Sequence, residues 1–563
     1  MWSKIVSYIP DWTVFIQAAI TLLFPIAVYY LYKHLYFYVG SGRSKNSGAK
    51  SQDAEPKNSD NHAANQQETE ADHPPSKSTG FTQDYDDDLA AIRTALEGNS
   101  DVCFREFTVK GIQARAALVY VEGMQNELLI NQQVLQNLMF ANEMQASEGI
   151  YTYMKQNMLP LAQLNETRDL DHLQESVLFG YTALIVEGMR EMLLVGFPHG
   201  AVRSITEPTS EALLRGPRIG FTEVLSENTS MLRRQGLNKH LEMQRFEVGS
   251  EIKKNLVIAY MKNIVNPDLL QEVKDRISKI DMDFILESGY VEQLIEDDYL
   301  SPFQQTQNTE RPDRVIASLL EGRIAILLDG TPFALIVPVT FSMLLQSPED
   351  YYERWFPGTL LRVLRFGAAF LALLAPALYI SFISFHPGLI PTQLAISIIE
   401  TRQGVPFPSL IEVLILEISI EILREAGIRL PKPIGPAMGI VGGLIIGDAA
   451  VQAGIVSPFL VIVVAVTAIS SFSIPMYSAG ITLRILRFVG MLFAAVLGMY
   501  GTILFFLLIC SHLTRLSSFG VPYVTPISPF RVSDWKDLFV RAPLSIMKRR
   551  PEMLKTQKKI RKS

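Results

Sequence analysis

Three carboxylates stand in surroundings that rarely tolerate them. Pro408 to Gly435 reads PSLIEVLILEISIEILREAGIRLPKPIG, an apolar helical pattern carrying Glu412, Glu417 and Glu421 among Leu, Ile and Val. At about 100° per residue, Glu417, Glu421 and Glu425 fall within roughly 80° of one another, and Glu412 lies nearly opposite Glu421. Ionisable groups at membrane depth are costly and normally face a bundle interior or a water-filled cavity, so this stripe is a candidate ion path. The same residues also describe an amphipathic helix lying on a membrane surface with its glutamates solvated. The apolar run, about 15 residues, is shorter than the ~20 of a span, and both readings stand on the residues alone.

A second stretch follows in GPAMGIVGGLIIGDAAVQAG, where Gly435, Gly439, Gly443 and Gly447 recur at every fourth position. Such a repeat leaves a bare groove on one helix face, suited to close helix packing within or between subunits rather than to conduction. Asp448, the one acid of that segment, either caps a break or lines a polar path.

The rest of the chain must position these residues. It has 563 residues, 48% of them hydrophobic, and a net charge of −6; its mean hydropathy is +0.18. A membrane protein with a large soluble part fits this balance. The charge gives no case for nucleic acid, and no nucleic-acid motif is present. Cys103 and Cys510 are too isolated for a disulfide framework or a zinc site and read as buried thiols. No HExxH, phosphate loop or nucleophile elbow occurs, so no enzyme, cofactor or resident metal is expected.

Trp12 to Tyr32 is uncharged over 21 residues and ends in the basic, aromatic edge YYLYKHLYFY, so residues 1–38 read as an uncleaved membrane anchor. Lysines and arginines after it place the following chain on the cytoplasmic side. Residues 39–85 read as a disordered linker, since Gly40 to Gly80 contains no Ile, Leu, Val, Phe or Met. Asp84, Asp86, Asp87 and Asp88 read as a helix start rather than a calcium loop. Residues 86–345 read as a cytoplasmic α+β region of two subdomains, with β-rich runs such as VCFREFTV, ARAALVYV, TALIV and EMLLVGF among helical patterns such as PDLLQEVKDRISKI. Val121-Glu122-Gly123, Val186-Glu187-Gly188 and Leu328-Asp329-Gly330 each close an apolar run with a turn needing positive φ. The third makes Ile324 to Leu345 a β-hairpin rather than a span. In Glu211 to Glu247, RGPR and MLRRQ read as a solvated charged face.

Residues 346–515 read as an α-helical multi-pass membrane domain, entered through the aromatic and basic collar SPEDYYERW with Arg354, Arg362 and Arg365. Phe366 to Phe385, the glutamate helix, the glycine helix, Phe459 to Met476 and Phe488 to Cys510 make five crossings. Residues 516–563 read as a basic cytoplasmic tail, with nine Lys or Arg against one Glu from Arg541 to Ser563. Five crossings would put that tail opposite the soluble region, so the topology does not close on the sequence.

QSPEDYYERW, FHPGLIPTQLAISI, FPSLIEVLILEISIEILREAGIRLPKPIG, GIVGGLIIGDAAVQAGIVSP and SSFGVPYVTPISPF together resemble the A subunit of GerA-type spore germinant receptors. The similarity runs from about Asp86 to Phe530 and is densest from Asp329 onwards; the N-terminal anchor and linker depart from it. The resemblance implies a multi-pass protein of the inner membrane of dormant endospores, with its soluble region and tail on the spore-core side. It also implies a pentameric, ring-like homo-oligomer that conducts ions when nutrient is sensed, acting with a transporter-like B subunit and a lipoprotein C subunit. Glu417 and Glu421, with Glu412, would then form a cation-attracting ring. The alternative is a non-conducting scaffold or signalling subunit, or an accessory protein that amplifies germination. A secondary transporter is disfavoured because no inverted repeat of broken helices is visible.

Overall fold

The computed structural model describes Phe81 to Arg561 except residues 83, 126, 141–148, 158–163, 197–206, 209–210, 212, 237, 430–442 and 444–446. The expected anchor, nearly all of the linker, and Gly435 and Gly439 lie outside the described residues.

The soluble region is one motif used twice. In the first copy α1 (Tyr85–Ala95) leads into the hairpin β1 (Val102–Val109) and β2 (Ala114–Val121). Helical segments, β3 (Leu164–Thr167), α2 (Leu170–Leu178), β4 (Tyr181–Val186) and β5 (Met192–Gly196) follow. In the second copy α3 (Leu225–Arg234) leads into β6 (Leu241–Val248) and β7 (Lys254–Met261). Then come α4 (Pro267–Ser278), α5 (Ser288–Ile295), β8 (Gln307–Thr309), α6 (Pro312–Glu321), β9 (Ile324–Leu328) and β10 (Ala334–Val337). The two antiparallel sheets have the orders β1-β2-β4-β5-β3 and β6-β7-β9-β10-β8, the same path through each sheet.

Each copy opens with the same local device. Phe81-Thr82 precedes Asp88 as Phe221-Thr222 precedes Asn228, and in both the threonine N–H donates to the later side-chain oxygen at 2.7 Å. Asp84 caps α1 by accepting from Asp86 N at 3.0 Å, so the acidic patch is the expected helix start. The three acid-glycine turns hold their glycines at φ +76, +84 and +82. Asp329-Gly330 joins β9 to β10 as a hairpin, as read from the sequence. β9 is apolar and wholly buried because helices cover one face and a second core the other.

The copies are tied by a buried ion pair that corrects the solvated reading of MLRRQ. Arg233, 4% exposed, donates through Nη2 to Asp101 Oδ1 at 2.7 Å and to Asn99 Oδ1 at 2.9 Å. Cys103 and Cys510 are half-buried thiols rather than fully buried ones.

Beyond Trp355 the chain forms a bundle of α7 (Trp355–Ser384), α8 (Thr392–Arg402), α9 (Ser409–Arg429), α10 (Pro458–Phe472) and α11 (Tyr477–Arg515). α7 and α11 are long and apolar enough to cross a membrane. α11 is not one rod. Gly498 breaks it at φ 59°, ψ −136°, a backbone region open essentially to glycine alone. Its arms fold back so closely that a Cβ on Gly501 would sit 2.1 Å from Phe493 O, and the Phe493 and Phe505 rings are 5.7 Å apart. The run Phe488 to Cys510, read as one crossing, therefore holds a reversal.

The root end of the bundle, beside the soluble region, carries Thr482 Oγ1 donating to Pro302 O at 2.6 Å and His512 Nε2 2.9 Å from Ser301 Oγ. The distal end carries the Ser384–Ser409 hydroxyl pair and Gly498 against Phe385. α7 runs outward, α9 back, α10 back, and the two arms of α11 out and back. Gly454 lies at the distal end, against Gly404 O at 3.2 Å. Both ends of α11 lie at the root.

The segment after Arg515 is folded rather than a free tail. Ser517–Ser518 and Val521–Pro522 pair as a short hairpin, Tyr523 is fully buried, and Gln557 N donates to Ile264 O at 3.0 Å. Arg362 and Arg365 of the collar are drawn inward, both pairing with fully buried Asp350.

Candidate functional site

α9 presents its acids to different neighbours: Glu412, half a turn round the helix from Glu421 and about two and a half turns nearer its start, faces α8 and α10, while Glu417 and Glu421 face α11. Glu412 is fully buried at the distal end. One of its oxygens accepts from Arg402 Nη2 of α8 at 2.6 Å, the other from Ser457 N at 3.2 Å, at the start of α10. It thus satisfies an orphan helix N–H and neutralises an arginine.

Glu417 and Glu421 meet α11 nearer the root. Glu417, 1% exposed, lies 2.8 Å from Arg487 Nη2. Glu421 is partly exposed and accepts from three arginines: Arg484 at 2.9 Å, Arg487 at 3.2 Å and Arg424 at 3.4 Å. Arg424 also donates to Ser471 Oγ of α10 at 2.9 Å and stacks 4.4 Å over the Phe472 ring. Arg484 and Arg487, three apart, share one face of the first arm of α11, which is how both reach α9. Pro458 at the start of α10 and the Gly498 break of α11 set the helix ends that bring the three helices to this point.

The electrostatics differ from a bare acidic stripe. Two carboxylates face three guanidiniums, so the cluster carries one excess positive charge. Glu417 Oε1, Arg424 Nε, and Arg487 Nε and Nη1 are buried without hydrogen-bond partners. A buried network with unsatisfied atoms is costly unless something else is gained, such as a second arrangement. Glu425 pairs with Arg429 at 2.7 Å on the exposed side and takes no part.

The remaining sequence candidates are not gathered here. Asp448 is exposed and accepts from Gln452 Nε2 at 2.7 Å. Gly443 has nothing within 4 Å of a Cβ position, and Gly447 has only Val461 at 3.6 Å. Among the described residues, Gly443 is open and Gly447 meets α10 only at Val461. No group of acids, cysteines and histidines suited to a metal occurs among the described residues.

Sequence reasoning found the acids but missed their partners Arg484 and Arg487. Their signal was the spacing: two arginines on one helical face amid apolar neighbours need acidic partners, and Glu417 and Glu421 have the matching spacing.

Residues 90–553 match the family model described as Bacillus/Clostridium GerA spore germination protein. The chain is 43% identical over 469 residues to spore germination protein GerLA of Bacillus cereus, covering 83% of this chain and 95% of that one. It is 41% identical over 474 residues to spore germination protein KA of Bacillus subtilis, covering 84% and 87%. It is also similar to the crystallised N-terminal domain of the A subunit of the Bacillus megaterium spore germinant receptor GerK3. That likeness has 32% identity, a TM-score of 0.38, and covers 47% of this chain and 99% of that one.

Proposed function

This chain belongs to the GerA family of spore germination proteins, and from that premise we propose that it is the A subunit of a germinant receptor whose helical bundle spans the inner spore membrane. In this reading the apolar helices of the bundle, α7, α9, α10 and the two arms of α11, cross the bilayer as a multi-pass domain. The soluble region and the C-terminal segment share the spore-core side. Subunits assemble into a pentameric ring beside a transporter-like B subunit and a lipoprotein C subunit, and the ring conducts ions when nutrient is sensed.

The observation that carries the reading is the buried cluster of Glu417 and Glu421 with Arg424, Arg484 and Arg487. It revises the mechanism first read from the sequence. The acids are already neutralised, so they do not attract cations in this arrangement. The network is instead a latch between α9 and α11: conduction requires the arginines to withdraw, exposing carboxylates that then favour cations in the ring. A ligand-driven partner must supply the differential free energy for that exchange.

A second reading has its own support. Every acid of α9 is taken up by an arginine of the same chain, which suits a scaffold held together by these pairs.

Ion flux in liposomes separates them. Wild type is compared with Glu417→Gln/Glu421→Gln and with Arg484→Gln/Arg487→Gln, oligomer size being measured in the same samples and the B and C subunits co-reconstituted. Flux raised by the arginine pair and made less cation-selective by the glutamate pair supports the latch. Intact oligomers whose flux neither pair alters support the scaffold.

A further inference from the structure

The C-terminal segment closes a cavity of about 630 Å³ between α6, the stretch from Ser342 to Tyr352 and its own residues from Pro526 to Arg561. The acids lining it are already engaged. Asp537 pairs with Arg362 at 2.7 Å, Asp313 with Arg311 at 3.2 Å, and Glu321 with Arg561 at 3.1 Å. Asp534 accepts from Glu552 N at 3.2 Å.

The cations are not all matched. Lys536 and Arg549 line the cavity with side chains that hold no ion pair or hydrogen bond among the described residues. Arg550 donates only to backbone carbonyls, of Leu320 at 2.7 Å, Lys558 at 3.0 Å and Ile560 at 2.8 Å, which satisfies its N–H groups and leaves its charge. Asp534, held only by a backbone N–H and a hydroxyl, keeps one negative charge, so three cations face a single unpaired carboxylate and the space carries a positive excess.

The position of the cavity narrows the ligand. Its wall residue Asp537 is bonded to Arg362, within the first turns of α7, and Phe539 packs on Phe366 at 4.7 Å. Beside it α7 begins with the exposed rings of Trp355 and Phe356, the mark of a membrane interface. Ile546 at the cavity is also half exposed, and Leu360 and Leu364 continue an apolar outer face along α7. Cations at the foot of an apolar helix match a phosphate that carries hydrocarbon.

We propose that this cavity holds the phosphate headgroup of an anionic phospholipid, with Lys536, Arg549 and Arg550 as its counter-charges and α7 beside its acyl chains. The site rests on the membrane-spanning reading of the bundle. Bound lipid fastens the C-terminal segment, and through it the soluble region, to the root of α7.

The test uses the full chain in nanodiscs, wild type beside Lys536→Gln/Arg549→Gln, two side chains that hold nothing in the fold. Retention of phosphatidylglycerol is read by native mass spectrometry and by the thermal shift it confers over phosphatidylcholine. The double variant should hold phosphatidylglycerol about thirtyfold more weakly, with unchanged helicity. Equal retention by variant and wild type overturns the site. So does an equal shift of wild type by inorganic pyrophosphate alone, which would make this a soluble-anion pocket. Alkaline carbonate extraction of the same samples keeps the two levels apart: a chain released from membranes sinks the spanning reading, and a chain that stays with the membrane but does not retain the lipid sinks only the site.

Discussion

Arg487→Met is the sharpest perturbation of the latch. Arg487 is 1% exposed and touches Glu417 at 2.8 Å and Glu421 at 3.2 Å. Its removal leaves Glu417 with no partner, whereas Glu421 keeps Arg484 and Arg424. Unit charges 4 Å apart attract by about 4 kcal/mol at an effective dielectric of 20, and breaking a buried pair costs ~3–5 kcal/mol because one charge stays buried. We expect a loss of about 4 kcal/mol, or about 10 °C in melting temperature for a bundle of this size. Glu417→Leu alone leaves Arg487 with Glu421 and should cost less. The double variant Glu417→Leu/Arg487→Met removes both charges, so it should recover about 2 kcal/mol or more relative to the sum of the singles. The assay is thermal unfolding of the detergent-solubilised chain, run as a double-mutant cycle. A loss below about 1 kcal/mol for Arg487→Met, additive with Glu417→Leu, would mean that the cluster is solvated and would refute the latch.

Other outcomes follow from the same geometry. Gly501→Ala places a Cβ 2.1 Å from Phe493 O and should separate the arms of α11, lowering the melting temperature, whereas Gly443→Ala, with nothing within 4 Å, should leave the monomer unchanged. Arg233→Met leaves Asp101, 3% exposed, without its ion-pair partner and should cost ~3–5 kcal/mol in unfolding of the soluble region. Burial pushes Glu292 from its ordinary 4.5 up to about 7, against a hydrogen bond from Thr306. The native state therefore binds the extra proton between those values, and the associated stability, about 3 kcal/mol, is fully present below pH 4.5 and lost as pH rises through 7. Glu292→Gln should flatten that loss in melting curves taken from pH 5 to 8; an unchanged slope would show that another group carries it. If the bundle spans a membrane, cysteines placed at Ile527 and Leu497 should label from opposite sides of a sealed vesicle, because Gly498 turns at the distal end; labelling from one side would show that the second arm of α11 does not cross.

Much of the soluble region was legible because its signals are local. Alternating apolar runs and three acid-glycine turns gave β1, β2, β4, β5 and the β9–β10 hairpin. What escaped was the pairing of distant segments. Phe81-Thr82-x5-Asp88 and Phe221-Thr222-x5-Asn228 lie about 140 residues apart, too sparse a match to announce a duplicated motif. Arg233 in MLRRQ looked solvated because its partner Asp101 lies in the other copy. In the bundle, charge-free length marked the apolar segments, but length alone does not distinguish a rod from two arms meeting at Gly498. That distinction rests on a glycine whose φ and ψ no other residue readily adopts.

The same limit explains the acids. A stripe of glutamates on an apolar helix is equally a water-lined path and one half of an ion-pair seam, and only the facing helix decides. Here the facing helix is the first arm of α11, and its direction depends on the reversal at Gly498. If the arms were one rod, the chain would end on the far side and Arg484 and Arg487 could not meet α9 while His512 meets Ser301 at the root. The reversal at Gly498 and the neutralisation of the acids are therefore coupled. Any motion that slides the first arm of α11 along α9 breaks three pairs to Glu421 and Glu417 together rather than one at a time, because Arg484 and Arg487 share a face. A seam that must release as a unit has two arrangements and little between them, the property a gated path requires.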